Sequence, residues 1–447
     1  MRSFSKLYAP KRSLGARKLL VILGLGLSLF LVLSILEYKL SKKAREEFMQ
    51  LDKLTHQYQG LTKADANVTY TLKESMNILD HYLKSKPHSI KLKQKSGYLP
   101  CKLPDDLMQI YHWRNGIRHL SPNIELYPYS MLEYIRKQKN LDDNLIQIAS
   151  DSAVWLFYDC NQGEGIYYDD YYGDSLQKKY YDFNHMLHIM AQVYQRNAHY
   201  YNEYGEWYTD KKILAQIERE NLSSVDKLRY EKLINLLSSK AIEYQDALFF
   251  RPKRSLIMKI GETYDKRLIN VLLPYLKDWN ERVVSITFYA LGNIGTKETL
   301  PILFDYINSN HDKKYREMAL HSISKIVDRS DTQVVEKIYP LLTHEELSIR
   351  LYAYRVIDKV STPSSIPYLK KVFPSEKRAA KFLIINIFSK IGGGDTLPLL
   401  QEYLNEVNQM DSTQEDEGTF RGHNYPPHLM ERVLLKAIKA IQKREDL

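Results

Sequence analysis

The chain has 447 residues, 44 % apolar and 26 % charged, a composition that excludes a largely disordered protein and allows about three domains at roughly 150 residues each. Its 64 Lys and Arg against 54 Asp and Glu leave a net charge of +10, which points to an acidic partner, nucleic acid or a membrane surface without choosing among them. Two cysteines, Cys101 and Cys160, offer no CxxC or Cys/His spacing and exclude a disulfide framework and a zinc or redox motif. In chain order, residues 1–18 form a basic tail with Arg2, Lys6, Lys11, Arg12, Arg17, Lys18 and no acid, so residues 19–447 hold only +4 of the net charge. Residues 19–36 carry no charge, and these 18 residues would reach about 27 Å as a helix, close to the roughly 30 Å of hydrocarbon a bilayer presents. They read as a single transmembrane helix, a signal-anchor. A cleaved secretory signal competes, but its apolar region is normally about 7–15 residues and ends in a small-residue site, which this run lacks. Six cations before the span against four after it predict a cytoplasmic N-terminus and a single-pass protein of the cell inner membrane, its later domains periplasmic or extracytoplasmic.

Residues 37–67 follow as a helical stalk, with Ala44, Phe48, Leu51, Thr55 and Tyr58 at spacings of 4, 3, 4 and 3. The stripe covers about two heptads, fewer than the three or four that argue for a coiled coil, which favours a helix packed on its own domain. From 68 to 205 the pattern is mixed. Thr71 with Glu74 suggests a capping box before Leu72, Met76, Leu79 and Leu83, and Ile90 and Leu92 alternate with lysines as in a strand. In LPDDLMQIYHWRNG (103–116), Pro104 suits the first helical position, Asp105 and Asp106 the positive end of the dipole, and Asn115–Gly116 a left-handed stop. Residues 154–158 and 166–168 read as a hairpin around Asn161–Gly165, and 184–201 as a helix that reaches Asn197. The succession of these elements predicts a small α+β domain.

This domain resembles the SUKH superfamily. The resemblance rests on the LP-x-x-L-x-x-Y-x-x-x-x-G-like run, with Pro104, Trp113, Asn115 and Gly116, and on the WLFYDCNQGEGIYYD hairpin, with Trp155, Gly163 and Gly165. It implies a binding domain rather than an enzyme, in many relatives an immunity protein that neutralises a toxin and in others a regulator of cell-wall synthesis. A tethered, outward-facing chain departs from immunity proteins that act on nucleases in the cytoplasm. Within the domain, Asp159, Glu164, Tyr167, Tyr168, Asp169, Asp170, Tyr171, Tyr172 and Asp174 form an acidic aromatic stretch, a candidate site for a basic partner such as a toxin or an envelope protein. A solvated hairpin loop beside core tyrosines is the competing reading. The spacing of the aspartates does not fit a calcium loop. Cys101 and Cys160 can pair or stay as buried thiols, and nothing in the sequence decides.

Residues 206–239 read as connecting helices, and self-similarity dominates 240–447. LIMKIG (256–261), ALGNIG (290–295), SISKIV (322–327), VIDKVS (356–361) and IFSKIG (387–392) recur at spacings of 34, 32, 34 and 31, and AIKAIQ (437–442) continues the series once a polar insertion at 409–427 is set aside. One period of this length means a helical solenoid whose units bury their apolar faces only by stacking. The units resemble HEAT repeats: Pro274, Pro301, Pro340, Pro367 and Pro398 fall in the first helices, and Arg316 and Arg350 precede Ala319 and Ala353 by three, although Val284 and Lys381 depart from the arginine. The resemblance implies an all-α protein-binding scaffold. Arg282, Lys314, Arg316, Arg350 and Lys381 are its candidate binding face, an acidic partner being the sharp reading and a solvated mixed-charge face, interleaved with Glu281, Glu317, Glu345, Glu346 and Glu376, the favoured one.

No hydrolase, metalloprotease, P-loop or dinucleotide motif occurs, and the 13 histidines do not cluster with carboxylates, so no catalytic residue, metal or cofactor is expected. With the basic excess assigned to membrane topology, nucleic acid is not expected either. The function expected is a membrane-anchored protein-binding protein, a toxin-neutralising immunity protein in the first instance. The alternatives are an envelope-associated assembly scaffold and a hydrolase or lyase whose site would need convergent ionisable residues in one pocket between the two domains.

Overall fold

The computed structural model describes residues 42–43, 45–47, 49–55, 61, 71–83, 99–114, 117, 120, 125–139, 144–150, 154–161, 166–170, 177–201, 207–245, 250–308, 313–410 and 425–445. The fold class with a single transmembrane helix, its membrane keywords and the inner-membrane localisation are corrected: among the described residues no helix is long and apolar enough to cross a membrane. The two longest of these helices, Ser224–Glu243 and Pro427–Glu445, each carry seven charged residues spread along their length, which hydrocarbon would not accept. Residues 19–36, on which the expectation rested, lie outside the described residues, as do the strand expected at 90–92 and the polar insertion from 411 to 424.

The chain opens with helix α1, residues 49–55 and the described positions before them, then α2 (Leu72–Tyr82) and α3 (Asp105–Trp113). Pro104 precedes α3 in an extended conformation as its N-cap, one position outside the helix, and the Asp106 carboxylate accepts from the Leu107 amide at 2.8 Å. β1 (Glu125–Leu126), α4 (Leu132–Lys139), β2 (Leu145–Ser150), β3 (Val154–Asp159), β4 (Ile166–Asp170) and β5 (Gln177–Tyr180) follow. The strands form an antiparallel sheet in the order β1-β2-β3-β4-β5, in which β3 and β4 pair Tyr158 with Ile166. A register shift between Gln147 and Ala149 marks a bulge in β2. Helix α5 (Phe183–Gln195) is started by Asp182, whose carboxylate accepts from the His185 amide at 2.7 Å. It stops six residues before the expected end, because Asn197 turns left-handed at φ 52° and residues 199–201 become β6, paired with β7 (Trp207–Thr209). Leu107, Ile110, Tyr111, Ile146, Ile148, Leu156 and Leu187 form one buried core with α2, α3 and α5 against the sheet. Cys101 and Cys160 are disulfide-bonded, their Cα atoms 5.8 Å apart, and tie the approach to α3 to the end of β3.

Helix α6 (Lys211–Glu220) belongs to that core through Ile217, whereas α7 (Ser224–Glu243) contributes Ile234, Leu237 and Ala241 to a second core. From there the chain is a solenoid of helix pairs. The second helices are α8 (Phe250–Glu262), α10 (Glu281–Ile294), α12 (Lys313–Ile326), α14 (Leu347–Val360), α16 (Arg378–Ile391) and α18 (Pro427–Glu445). The first helices are α7, α9 (Ile269–Leu272), α11 (Leu300–Asn308), α13 (Thr332–Ile338), α15 (Ile366–Val372) and α17 (Leu397–Gln409). Pro301, Pro367 and Pro398 sit in first turns, where a missing N–H costs nothing; Pro274 and Pro340 tighten the ends of first helices into 3₁₀ turns. One apolar core runs unbroken from Leu51 of α1 to Ile441 of α18. The helix read as a stalk thus covers the open end of the array, the role a capping element must fill in any solenoid.

Candidate binding site

The second helices pack directly on one another from unit to unit, while the first helices of neighbouring units touch only sparsely. The second helices thus form the continuous, closely packed layer of the solenoid. Their ends are joined by a ladder built from one position of the repeated hexamer. Lys259 donates to Asp52 of α1 at 3.0 Å, Asn293 to the Gly261 carbonyl at 3.4 Å, Lys325 to Asn293 at 3.0 Å and Lys390 to Asp358 at 2.6 Å. Arg444 closes the ladder on the carbonyls of Phe388, Ser389 and Gly392. Close approach at these ends needs small residues: a Cβ on Gly261 would meet the Ala290 backbone at 3.0 Å.

The structure separates the five solenoid candidates. Arg350 is spent between units: its guanidinium donates to both oxygens of Glu376 at 2.7 and 3.0 Å, and Glu376 also accepts from the Tyr354 hydroxyl at 2.6 Å. Lys314 pairs with Glu281 at 3.7 Å, and both side chains are solvated. Lys381 lies over the rings of Tyr403 and Phe373 at 4.2 and 5.4 Å, and burial pulls its ammonium below the ordinary lysine value. Arg282 is exposed at the start of α10 and Arg316 half-buried in α12.

In the head, Trp113 donates through Nε1 to the Asp80 carboxylate, which also pairs at 2.6 Å with buried Arg114. Half-buried Trp155 of β3 is in register with Asp169 of β4. Asp159 accepts from the Asn161 amide at 2.8 Å and so shapes the turn after β3. Tyr167, Tyr168, Asp169 and Asp170 are consecutive residues of β4. Asn115, Gly116, Gly163, Glu164, Gly165, Tyr171, Tyr172 and Asp174 lie outside the described residues.

Between head and solenoid lies a cavity of about 320 Å³ lined by α5, α6, α7 and α8, with His185, Glu218, Arg219, Asp226, Lys259 and Glu262 among its walls. Its ionisable groups serve the joint. Arg219 donates to the carbonyls of Thr263 and Tyr264 at 2.8 and 3.5 Å, and Lys212 of α6 reaches the Gly295 carbonyl at 3.0 Å. Buried Asp226 accepts from the Tyr181 hydroxyl at 2.8 Å and from Ser223, and pairs with Arg229; His185 Nδ1 accepts from the Tyr181 amide at 3.1 Å. Burial raises the Glu262 carboxyl above its ordinary value, against the pull of Lys259 and Lys211. Burial also pushes the Tyr230 hydroxyl up to about 12 while it donates to Asp265. No group of three or more metal-ligating side chains occurs among the described residues.

A family model described as HEAT repeats matches residues 247–324, which span α8 to α12. The match is confined to the solenoid and supports the helical repeats alone; the SUKH assignment of residues 68–205 finds no support in it. No curated protein matches the chain. Among solved structures, an engineered protein 14 % identical covers 46 % of this chain and 96 % of its own at a TM-score of 0.32. A designed armadillo repeat protein in complex with the peptide (KR)4, also 14 % identical, covers 44 % and 98 % at 0.31. A second engineered protein at 13 % identity covers 52 % and 64 % at 0.32. At these scores the likenesses carry no argument about function.

Proposed function

We propose that the chain is a protein-binding scaffold in which the layer of second helices docks a partner protein. What supports this is the array of stacked helix pairs that the HEAT-repeat model matches at 247–324; its second helices keep Met258, Tyr289 and Leu435 37, 47 and 49 % exposed, and its first helices keep Leu228, Ile242 and Tyr368 59, 60 and 44 % exposed. Catalysis at the interdomain cavity is not favoured, because its Arg219 and Asp226 are engaged in holding the two cores together and its Lys259 in joining α8 to α1. Toxin neutralisation and envelope assembly, which followed from the SUKH resemblance and the membrane reading, have no observation in their favour. A photo-crosslinking residue placed at Tyr289 and, in a second variant, at exposed Glu336 of the opposite layer tests the scaffold reading. A protein adduct at 289 and none at 336 is expected; equal adducts at both, or none at 289, would overturn it.

A further inference from the structure

The cavity at the joint is bordered by both cores. Ile189 of α5 and Ala215 of α6 line it from the head, Leu233 and Leu237 of α7 from the solenoid, and Leu222 from the turn between them. These apolar side chains border a space of about 320 Å³. Packed cores leave few voids larger than a water, whose share of liquid volume is about 30 Å³. An apolar cavity of about 150 Å³ takes a benzene ring, so this one has room for a ring with a short chain. Small-ligand sites span about 300–1,000 Å³ and favour the joints between domains. Several polar groups of the wall are already committed to the protein. Arg219 is held by the Thr263 and Tyr264 carbonyls, Lys259 by Asp52, and Asp226 by Tyr181, Ser223 and Arg229. The Thr263 hydroxyl donates to the Ile260 carbonyl and the Tyr230 hydroxyl to Asp265. Glu262 differs. It lines the cavity yet stays exposed to solvent, which places it at the mouth, and among the described residues it accepts no hydrogen bond and forms no ion pair.

We propose that this cavity binds a small amphipathic amine, its apolar body between α5, α6 and α7 and its ammonium group on the Glu262 carboxylate. The burial that raises the Glu262 carboxyl reflects a charge short of partners, and an ammonium donating to it would supply one. An acid of the same shape would set its charge against Glu262, and it would find Arg219 and Lys259 occupied by Thr263, Tyr264 and Asp52. A neutral molecule of that shape would gain the apolar contacts alone. Because the walls come from α5 and α6 on one side and from α7 and α8 on the other, the occupant touches both cores and fastens the head to the solenoid. The site is separate from the layer of second helices, so it can be filled whether or not a partner protein is docked.

Isothermal titration calorimetry and thermal melts of the full chain test this with three probes of one shape: phenylbutylamine, phenylbutanol and phenylbutyrate. The amine should bind tightest, the alcohol less tightly and the acid weakest, and the amine should raise the melting temperature in proportion to the logarithm of its concentration. Glu262→Gln, at an exposed position, should keep the melting curve of the parent, weaken the amine about tenfold or more and leave the alcohol unchanged. Ala215→Leu, which extends a side chain into the cavity, should abolish binding of the amine and the alcohol alike. No binding of the amine, an acid bound as tightly as the amine, or equal affinity for the amine in Glu262→Gln would each overturn the proposal. Undiminished binding of the amine by an Ala215→Leu chain that melts like the parent would put the ligand outside this cavity and overturn it as well.

Discussion

Replacing Arg350 by Met distinguishes a side chain that binds a partner from one that joins two repeats. The Glu376 side chain is 3 % exposed and that of Arg350 15 %. Removing the guanidinium leaves the carboxylate buried with the Tyr354 hydroxyl and the Lys377 amide as its remaining donors. Stripping one partner from a buried pair costs about 3–5 kcal/mol. Arg350 also donates to the His344 and Glu345 carbonyls at 2.8 and 3.0 Å, bonds on the rim that add about 1 kcal/mol at most. A loss of about 4 kcal/mol lowers the melting temperature of a 150–250-residue unit by about 8–16 °C. Arg350→Met should therefore melt early in circular dichroism and urea titrations. Arg350→Met with Glu376→Met should recover most of the loss, because no charge is left buried. Tyr354→Phe should cost less than Arg350→Met, since it removes one bond and leaves the ion pair; burial, and secondarily the bond to Glu376, already holds that hydroxyl above the ordinary tyrosine value. If Arg350→Met stays within about 1 kcal/mol of the parent, the bridge is not structural and the reasoning fails.

Reduction of Cys101–Cys160 opens a loop with a sequence separation of 59; chain entropy alone assigns such a closure about 4 kcal/mol, so dithiothreitol or Cys101→Ser with Cys160→Ser should shift the head transition and leave the solenoid transition in place. Gly295→Ala should destabilise the junction of α10 with α11 by about 1–3 kcal/mol in urea melts, because the added Cβ would stand 2.3 Å from the Leu291 carbonyl oxygen and 2.7 Å from Ile326 Cδ1; an unchanged midpoint would mean that the junction can open. Burial holds the His199 imidazole down at about 3, with Nδ1 against the Thr209 hydroxyl. An unfolded chain takes up that proton near 6.5, so the unfolded state binds more protons between those values. The head should then lose up to about 1.4 kcal/mol per pH unit as pH falls from about 6.5 towards 3, with the full contribution present above 6.5, and His199→Gln should flatten that slope in pH-dependent melts.

The solenoid was legible because its signal is periodic: the hexamers from LIMKIG to IFSKIG mark the ends of α8, α10, α12, α14 and α16. The β3–β4 hairpin was legible because local alternation and one turn define it. The end of α5 was misplaced because Asn197 keeps the helical spacing of its neighbours while its backbone turns left-handed, a stop the sequence carries without a glycine. The place of α1 could not be read from its own stripe, since what fixes it is the contact of Leu51 and Asp52 with a helix about 200 residues away. The hexamer lysines at 259, 325, 359 and 390 were visible in the sequence, but the partner of Lys325 lies one unit back in the array, and only stacking brings it to Asn293.

Charge was the feature most distorted by reading along the chain. Basic stretches such as 377–394 and acidic ones such as 411–417 follow one another along the repeats, so a sum over several units reports a mixed surface. Folding sorts them. Asp265, Asp278, Asp328 and Glu376 occupy the turns, where each accepts a backbone amide at a helix start or tight bend, from Arg267, Asn280, Ser330 and Lys377 respectively. Such sites favour negative charge through the exposed N–H groups and the dipole. The bases are left on the second helices. A periodic array repeats that sorting unit after unit, so charges that cancel in sequence add along one face. The second helices thus carry 20 cations and 6 anions, and part of that excess is balanced across the turns, where Lys253 pairs with Asp278, Lys313 with Glu346 and Arg350 with Glu376.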